Sequence, residues 1–387
     1  MSNSKVKVLA IIPSGFCFGL QHVSIDLFAN SKNWIDPHFL ITRWNDGDFE
    51  KLVSRHGFTY SFSWLGMFSR KLDWRNLRMS LHALSKVPRL YYDFLKLCKQ
   101  KKPDILFFAN HHELILLLPM LWLVRIKVVC HMHDPSPVIP FQKRTFSWYG
   151  RRVNYFIAIS EDVKKRLMKL GCLEEKISVV HNGISIPKKN YTGRTNRFTE
   201  QFGWPQDSFI IGITGQMTAT KGHEDLVEAV SIALRKNEKI RLAIGGKKLE
   251  PLYSRLAGLI QEKGLQKKIM FSDWMEEVGD FYEAIDLFVL PSRHDEGYGL
   301  VVAEAMIHGK PVVITESGGA IEIVEDGING YIVPKQNAEA MAEKMIVVST
   351  NPLVYRDFSK KGLQRIIEHF TIEVAATRFS ALLQKMR

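Results

Sequence analysis

The chain is poor in cysteine and has no long apolar run, and each absence excludes a class of protein. Its 387 residues include four cysteines, which are scattered without a CxxC pair. A disulfide framework or zinc knuckle is therefore not expected, and a reducing cytoplasm fits. The most apolar run, residues 114–124, contains Pro119 and is shorter than the roughly 20 residues of a membrane-spanning helix. We interpret it as a buried or interfacial helix. The first residues show no small-residue cleavage site, so no signal peptide is expected.

The composition is that of an ordinary folded protein. Apolar residues make up 46% of the chain and charged residues 24%. These fractions exclude disorder, collagen and coiled coil as the main state. At about 100–200 residues per domain, the length predicts two domains.

Positive charge is concentrated in the first half of the chain. The net charge is +13, and residues 1–185 hold 27 basic and 14 acidic residues, so they carry all of it. Residues 68–102 hold 10 basic and 2 acidic residues, interleaved with tryptophan, tyrosine and leucine, and residues 141–155 repeat the pattern. Basic amphipathic helices with aromatic residues suit an anionic membrane surface. Two alternatives stay open. In the first, the apolar side of each helix faces the core and its basic side is merely solvated. In the second, the basic residues bind nucleic acid, although the sequence shows no nucleic-acid-binding module.

Short apolar runs alternate with helical patterns in both halves. This order predicts an α/β fold with two doubly wound parallel sheets, joined by the polar segment from Asn182 to about residue 197. We expect a helix over 74–101 that breaks near Pro88. Ligands of such sheets bind at the carboxyl ends of the strands, so a central cleft between two facing domains is the expected site.

The segment PSRHDEGYGLVVAEAM, residues 291–306, carries the most chemical information. It predicts a strand end, a loop, and a helix that begins near Gly299. Gly297 and Gly299 let the backbone approach a ligand, and a helix N-terminus offers free N–H groups to a phosphate or sugar. Glu296 and Glu304 lie eight residues apart, and a carboxylate can accept two hydrogen bonds from a vicinal diol. The pair therefore suits two polyols of one extended ligand.

Three further loops follow predicted strands. In GQMTATKGH, Gly215 permits a tight turn and Lys221 can reach a diphosphate. ESGG, residues 316–319, is a second strand-to-helix turn with backbone donors. PSGFCFG, residues 13–19, resembles an anion-binding loop but lacks the third glycine of the dinucleotide fingerprint, so NAD is disfavoured.

Together these segments resemble the GT-B glycosyltransferases, closest to family 4, the retaining nucleotide-sugar enzymes. The resemblance is strongest over residues 154–334, where EGYGLVVAEAM carries the Glu-x7-Glu motif and TESGGAIEIVEDGINGYIVP closes the set. It implies two Rossmann-like domains facing a central cleft. An acceptor-binding domain would span 1–185, completed by helix 372–387, and a nucleotide-sugar-binding domain would span 186–371.

The resemblance also implies a role for individual residues. Glu304 would hold the ribose, Glu296 the donor sugar, and Lys221 the diphosphate leaving group, while His133 would contact the donor sugar near the reacting carbon. The expected catalytic residues are thus His133, Glu296 and Lys221. The remaining donor-binding residues would be Gly15, Gly215, Gln216, Gly297, Tyr298, Gly299 and Leu300. The implied reaction is metal-independent transfer of a hexose, with no cofactor beyond the nucleotide-sugar donor. Its acceptor would be a glycan or lipid-linked glycan in bacterial surface polysaccharide or lipopolysaccharide assembly, at the inner face of the membrane.

The sequence departs from the family pattern in two places. Gln216 stands where the family usually has an arginine, so one diphosphate cation is missing. Either Arg293, Arg241 or Lys247 substitutes for it, or the leaving group is stabilised less. The first loop reads Gly15-Phe-Cys-Phe-Gly19 where the family usually has a double glycine followed by an acid or amide.

Several alternatives stay open from the residues alone. Asp46-Gly-Asp48 resembles a metal-diphosphate motif of another transferase class, and His131, His133 and Asp134 resemble hydrolase metal ligands. A nucleotide-sugar epimerase or a glycan phosphorylase uses the same architecture. A non-catalytic sugar- or lipid-binding relative would keep the fold without the reaction.

Overall fold

The computed structural model describes residues 5–12, 14–17, 19–65, 74–133, 140–187, 194–272 and 278–387. Its internal contacts divide the chain into two units. The first comprises Met1–Gly183 and Ile372–Arg387, and the second comprises Ile184–Thr371. Each unit is built around its own parallel sheet, which confirms the α/β fold class that the alternating pattern predicts.

The first unit contains a seven-stranded parallel sheet in the order β3-β2-β1-β4-β5-β6-β7. Its strands are nearly continuous apolar runs, as expected where helices cover both faces. They are β1 (Val6–Ile11), β2 (Ile35–Thr42), β3 (Thr59–Ser63), β4 (Ile105–Phe108), β5 (Lys127–Met132), β6 (Tyr155–Ala158) and β7 (Ile177–Val179).

Helices of the first unit divide between the two faces of this sheet. They are α1 (Gly19–Ala29), α2 (Asp48–Arg55), α3 (Trp74–Lys101), α4 (His111–Leu121), α5 (Pro140–Tyr149), α6 (Glu161–Lys169) and, from the end of the chain, α14 (Ile372–Lys385). Helix α1 contacts α2 and α14, whereas α3 contacts α4, which contacts α5. Right-handed crossovers place these two groups on opposite faces.

Helix α14 completes the core of the first unit. The Phe379 ring centroid lies 5.4 Å from Phe28 in α1 and 5.7 Å from Phe107 in β4, both edge to face. Phe28 and Phe107 are themselves 5.2 Å apart, and all three rings are fully buried. The last helix of the chain is therefore an internal part of the first unit.

The expected break in α3 is not observed. The helix continues from Trp74 to Lys101 with Pro88 inside it. Proline removes one backbone donor and crowds the preceding turn. Because Pro88 and Leu84, one turn earlier, are both exposed, water can bind the carbonyl that loses its partner.

The second unit contains a six-stranded parallel sheet in the order β10-β9-β8-β11-β12-β13. Its strands are β8 (Phe209–Thr214), β9 (Ile240–Gly245), β10 (Ile269–Phe271), β11 (Leu287–Leu290), β12 (Val312–Thr315) and β13 (Tyr331–Val333). Its helices are α7 (Arg197–Phe202), α8 (His223–Leu234), α9 (Leu252–Glu262), α10 (Val278–Glu283), α11 (Leu300–Ile307), α12 (Ala338–Thr350) and α13 (Pro352–His369). One core cluster joins α8, α9 and α12 to the sheet.

In the part of the chain that the structure describes, no helix is both long enough and apolar enough to span a bilayer.

Candidate functional site

The order of the second sheet defines where its ligand site should lie. Strands β8 and β11 are neighbours in the sheet, but the chain leaves β8 toward β9 and leaves β11 toward β12, on the other side. The loops that follow β8 and β11 therefore diverge and leave a crevice at the carboxyl ends, where open α/β sheets bind ligands. The two loops that the sequence singled out, residues 215–222 and 291–299, border this point.

Lys221 and Glu296 meet across this crevice. The Lys221 Nζ lies 2.8 Å from Glu296 Oε1 and 2.9 Å from Oε2, and the two side chains are 29% and 17% exposed. The Ser292 hydroxyl also donates to Glu296 Oε1. The carboxylate is therefore fixed by an ammonium and a hydroxyl while the pair stays within reach of solvent.

Close backbone packing holds the loops in place. Gly222 has a φ of +67°, and a Cβ at this position would lie 1.9 Å from the carbonyl oxygen of Pro291. Only glycine permits this contact between the loop after β8 and the end of β11. From the turn after β12, the Gly319 amide donates to the Glu296 carbonyl at 2.9 Å. Three strand ends thus converge on the segment that contains Glu296.

The N-terminus of α11 faces the same segment. The helix begins at Leu300 after Gly299, whose φ is +86°, and no side chain caps it. Its first amides can therefore bind an anion. The Tyr298 side chain is only 3% exposed, and its ring centroid lies 6.3 Å from that of Phe370. The expected contact of residues 297–299 with a ligand stays a prediction, and since the Tyr298 ring is buried, backbone atoms of this segment are the groups that would make it.

Glu304 lies one turn into α11 and is largely buried. The Tyr282 hydroxyl donates to Glu304 Oε2 at 2.7 Å. Burial raises the pKa of Glu304, and the Tyr282 hydrogen bond opposes that rise. The other carboxylate oxygen remains an acceptor of the kind that a diol requires.

The three residues considered as replacements for the missing cation at Gln216 do not lie at the same end of the second sheet. Arg241 lies at the amino end of β9, 6% exposed, and donates to the carbonyls of Glu238 and Ile240 at 2.7 Å. It lies at the wrong end of the strand, so that expectation is wrong.

Arg293 and Lys247 lie at the carboxyl end. Arg293 forms two hydrogen bonds of 2.7 Å with Asp225, and its charge is thereby compensated. Lys247 is exposed in the loop after β9. The preceding Gly246 packs so closely that a Cβ there would lie 2.0 Å from the Gly215 carbonyl oxygen. Lys247 and Gln216 thus follow two glycines in contact.

In the first unit, His133 follows β5 and pairs with His131. The His133 Nε2 lies 3.1 Å from His131 Nδ1, as the two-residue spacing on a strand predicts. Burial lowers the pKa of His133 to about 4, so its imidazole is neutral near pH 7. Gly15, after β1, lies against the Trp44 ring, and its carbonyl accepts from the Asp46 amide at 3.3 Å.

The alternative metal motifs have other partners. Asp48 forms a salt bridge with Lys51 at 3.0 Å, and Asp46 accepts from the Asp48 amide at 3.1 Å. Asp134 lies outside the described residues. Among the residues that are described, no group of three or more histidine, cysteine, aspartate or glutamate side chains could hold a metal ion.

Sequence reasoning missed two residues of this site. Ser292 and Tyr282 supply the hydroxyls that bind Glu296 and Glu304. Ser292 follows directly after the strand end at Pro291 and four residues before Glu296, which is a usable signal. Tyr282 lies 22 residues before Glu304 in another helix, and no local pattern links them.

Comparison with known proteins follows the same division into two units. The model of "Glycosyl transferases group 1" matches residues 195–365, and that of "Glycosyltransferase Family 4" matches residues 39–187. The two models together cover most of the chain.

Curated relatives resemble parts of the chain. A capsular polysaccharide biosynthesis glycosyltransferase, CapM, from Staphylococcus aureus is 28% identical over 225 residues, which are 56% of this chain and 58% of that protein. A poly(ribitol-phosphate) alpha-N-acetylglucosaminyltransferase from the same species is 28% identical over 169 residues, 43% of this chain and 34% of that protein. The chain thus spans about a third to three fifths of the length of these relatives.

Among solved structures, HepE from Anabaena in complex with UDP and glucose superposes with a TM-score of 0.80 at 20% identity. The match covers 98% of this chain and all of that one. This likeness shows the fold.

Proposed function

The chain belongs to the GT-B glycosyltransferases of the family-4 type, and from that membership we propose that it moves a hexose from a nucleotide-diphosphate donor to a glycan or lipid-linked acceptor. The transfer retains the anomeric configuration and serves bacterial surface polysaccharide or lipopolysaccharide assembly. Named relatives support this setting, since they act in capsular polysaccharide synthesis and on poly(ribitol-phosphate).

The ion pair between Lys221 and Glu296 carries the proposal. It joins the loops after β8 and β11 at the point where the sheet divides, with Nζ–O distances of 2.8 and 2.9 Å. Cleavage of a nucleotide-sugar bond leaves negative charge on the diphosphate and positive charge on the sugar carbon. An ammonium aimed at the first and a carboxylate near the second match that separation of charge.

In this proposal, Glu296 and Glu304 each bind the hydroxyls of one sugar ring of the donor. Glu296 binds hydroxyls of the donor sugar and Glu304 binds the ribose, while backbone amides of residues 297–300 bind phosphate oxygens. We assign Glu296 to sugar binding because Lys221 and Ser292 already occupy its oxygens, which makes it a weak nucleophile. The leaving phosphate oxygen accepts the acceptor proton on the same face, and Lys221 with the α11 N-terminus stabilises the leaving group without a metal ion.

His133 acts in this scheme as a neutral hydrogen-bonding group toward the donor sugar. Burial lowers the pKa of His133 to about 4, which favours a neutral imidazole at pH 7 and a hydrogen-bonding role over that of a general acid. Gly15 borders the donor and acceptor without contributing a side chain.

The acceptor is proposed to be lipid-linked and reached from the inner face of the membrane. The first half of the chain carries the whole charge excess of +13. Helix α3 also exposes large apolar side chains between its cations, with Trp74 at 80% and Leu81 at 58%. Residues 68–73 of the predicted basic segment lie outside the described residues.

The test measures donor binding and turnover with the full chain. UDP-, GDP- and ADP-sugars are compared by thermal shift, since a ligand at 100 times its Kd adds roughly 2.7 kcal/mol to stability. The effective donor is then incubated with and without alkyl glycosides and an extract of lipid-linked glycans. We expect free nucleoside diphosphate to appear only with acceptor, and the product to keep the donor's anomeric configuration.

A matched pair of lysine variants assigns the result to the site. Lys221→Met should abolish the donor-induced shift, whereas Lys335→Met, which removes a neighbouring ion pair with Asp295, should preserve it. Equal donor binding by both variants contradicts the proposed site. Conversion of the donor without acceptor would indicate an epimerase, and turnover of a glycan with inorganic phosphate a phosphorylase. Donor binding with no turnover would indicate a non-catalytic relative.

A further inference from the structure

A second surface of the first unit exposes large apolar side chains in a fixed arrangement. Trp122 and Leu123, in the turn between α4 and β5, are 61% and 67% exposed, and Trp148 near the end of α5 is 55% exposed. Helices α4 and α5 each return from the carboxyl to the amino edge of the sheet. The three side chains therefore lie at the edge opposite the loops that follow the strands.

The turn is held by one arginine. Arg152, three residues after the end of α5, donates from Nε to the Leu121 carbonyl at 2.6 Å. Its Nη2 donates to the carbonyls of Val124 at 2.8 Å and Ile126 at 3.0 Å. A single guanidinium thus binds carbonyls at the end of α4 and joins the turn to the end of α5. The apolar residues are exposed on an ordered backbone.

The charges around this turn are of one sign. Arg125 and Arg151 are exposed, and neither forms an ion pair within the described residues. Apart from Asp134, which lies outside those residues, the sequence has no acidic residue between Glu113 and Glu161. Asp104 directly precedes the neighbouring strand β4. Its carboxylate accepts a hydrogen bond from the Lys7 amide at 2.8 Å and lies 3.8 Å from Arg387 Nε.

We propose that Trp122, Leu123 and Trp148 insert into the interfacial layer of an anionic bilayer while Arg125 and Arg151 bind lipid headgroups. Tryptophan is favoured at this depth because its ring is apolar and its N–H can reach water. The patch suits a lipid surface better than a protein partner. Three side chains offer a few hundred Å², whereas a stable protein interface buries about 800 Å² on each side. This anchor rests on the proposed membrane-side acceptor and is separate from the donor site.

The experiment is flotation of the full chain with vesicles of phosphatidylcholine alone or with 30% phosphatidylglycerol, at about 50 mM and 500 mM salt. We expect binding to the anionic vesicles at low salt. The variant Trp122→Ser/Leu123→Ser/Trp148→Ser should lose at least tenfold in affinity. Arg125→Gln/Arg151→Gln should lose about fivefold per arginine, only with anionic lipid. Leu353→Ser, which removes a 75% exposed leucine of the second unit, should bind as the native chain does.

Fluorescence quenching by brominated lipids gives a second readout that does not depend on the triple variant. The native chain should be quenched, and Trp122→Phe/Trp148→Phe should lose most of that quenching while it still floats. Three results would overturn the proposal: no flotation of the native chain, a triple variant that floats normally, or a patch that proves to be a self-association surface because the triple variant turns a dimer into a monomer. Donor-induced thermal shifts should be unchanged in every variant, which separates failure of this anchor from failure of the donor site.

Discussion

At the scale of single residues, the Glu296 carboxylate holds the Lys221 ammonium where the loops after β8 and β11 meet. The ammonium is therefore positioned by the carboxylate at no further ordering cost when a diphosphate binds, and it only redistributes its hydrogen bonds. Preorganisation of this kind is the main source of electrostatic stabilisation in enzymes. Because Gln216 stands where the family usually has an arginine, one ammonium serves both the carboxylate and the leaving group unless a second cation lies nearby.

Lys247 is the residue that we expect to supply this second cation. Lys247→Met should weaken donor binding by about tenfold, the effect of losing one charge-assisted hydrogen bond. Isothermal titration with the effective nucleotide sugar measures this. Lys248→Met is the matched control, because the Lys248 ammonium lies 5.6 Å from the centroid of the Tyr253 ring.

A second substitution makes the test reciprocal. Gln216→Arg restores the cation that the family usually has, so it should recover most of the affinity lost in Lys247→Met. If Lys247→Met and Lys248→Met bind the donor equally well, Lys247 has no part in the site.

At the scale of elements, the loops that follow strands were predictable and their partners were not. The segment 291–306 could be placed because a strand end, a glycine-containing loop and a helix start leave a local pattern. The hydrogen bond from Tyr282 to Glu304 joins two helices, and its geometry depends on tertiary packing. The continuity of α3 through Pro88 likewise depends on exposure, and the wrong role for Arg241 came from ignoring which end of β9 it occupies. Strand β3 and helix α2 were missed although both have a regular period. Tyr60 and Phe62 alternate with polar residues in β3, and the buried Phe49 and Val53 lie four residues apart in α2. With 5 and 8 residues, the two segments are too short for that period to stand out in the sequence.

The contact between the loop after β8 and the end of β11 can be tested with one methyl group. Gly222→Ala places a Cβ 1.9 Å from the Pro291 carbonyl oxygen, so the loop must move and Lys221 with it. We expect donor binding to be lost. Gly264→Ala is the control, because Gly264 has a similar φ of +65° with nothing within 4 Å of the added Cβ.

The two glycine variants separate strain from collision. The left-handed conformation costs an alanine about 1–2 kcal/mol, so Gly264→Ala should lower the unfolding free energy by that amount and Gly222→Ala, which adds the collision, by more. Only Gly222→Ala should also abolish the donor-induced thermal shift. An unchanged shift in Gly222→Ala would mean that the contact does not position Lys221.

At the scale of the whole molecule, the chain leaves the first unit after Gly183 and returns to it at Ile372. The aromatic cluster of Phe28, Phe107 and Phe379 therefore joins the beginning and the end of the sequence. The first core cannot close until the second unit has been synthesised. This dependence was visible in the sequence only through family resemblance, since no local pattern tells a last helix which sheet it will cover.

Buried histidines in both units give the molecule a defined response to acid. Burial lowers the pKa of His38, His133, His223 and His308 to about 4. In the unfolded chain each of these histidines takes up a proton near pH 6.5, whereas in the folded chain it does so only near pH 4. Their contribution to the free energy of unfolding is therefore fully present above pH 6.5 and is lost as the pH falls toward 4. Glu113, whose pKa burial raises to about 7, acts in the opposite sense and offsets part of this loss.

The contribution of a single histidine can be measured at His38. Its ring nitrogens lie 2.8 Å from the hydroxyls of Thr59 and Ser61, and the side chain is 7% exposed. His38→Gln should therefore make the fall in unfolding free energy between pH 6.5 and pH 4.5 shallower by up to about 1.4 kcal/mol per pH unit. Urea titrations across this range measure the slope, with hydrogen exchange in β2 identifying the first unit. A slope in His38→Gln identical to that of the native chain would show that His38 protonates equally in the folded and unfolded states.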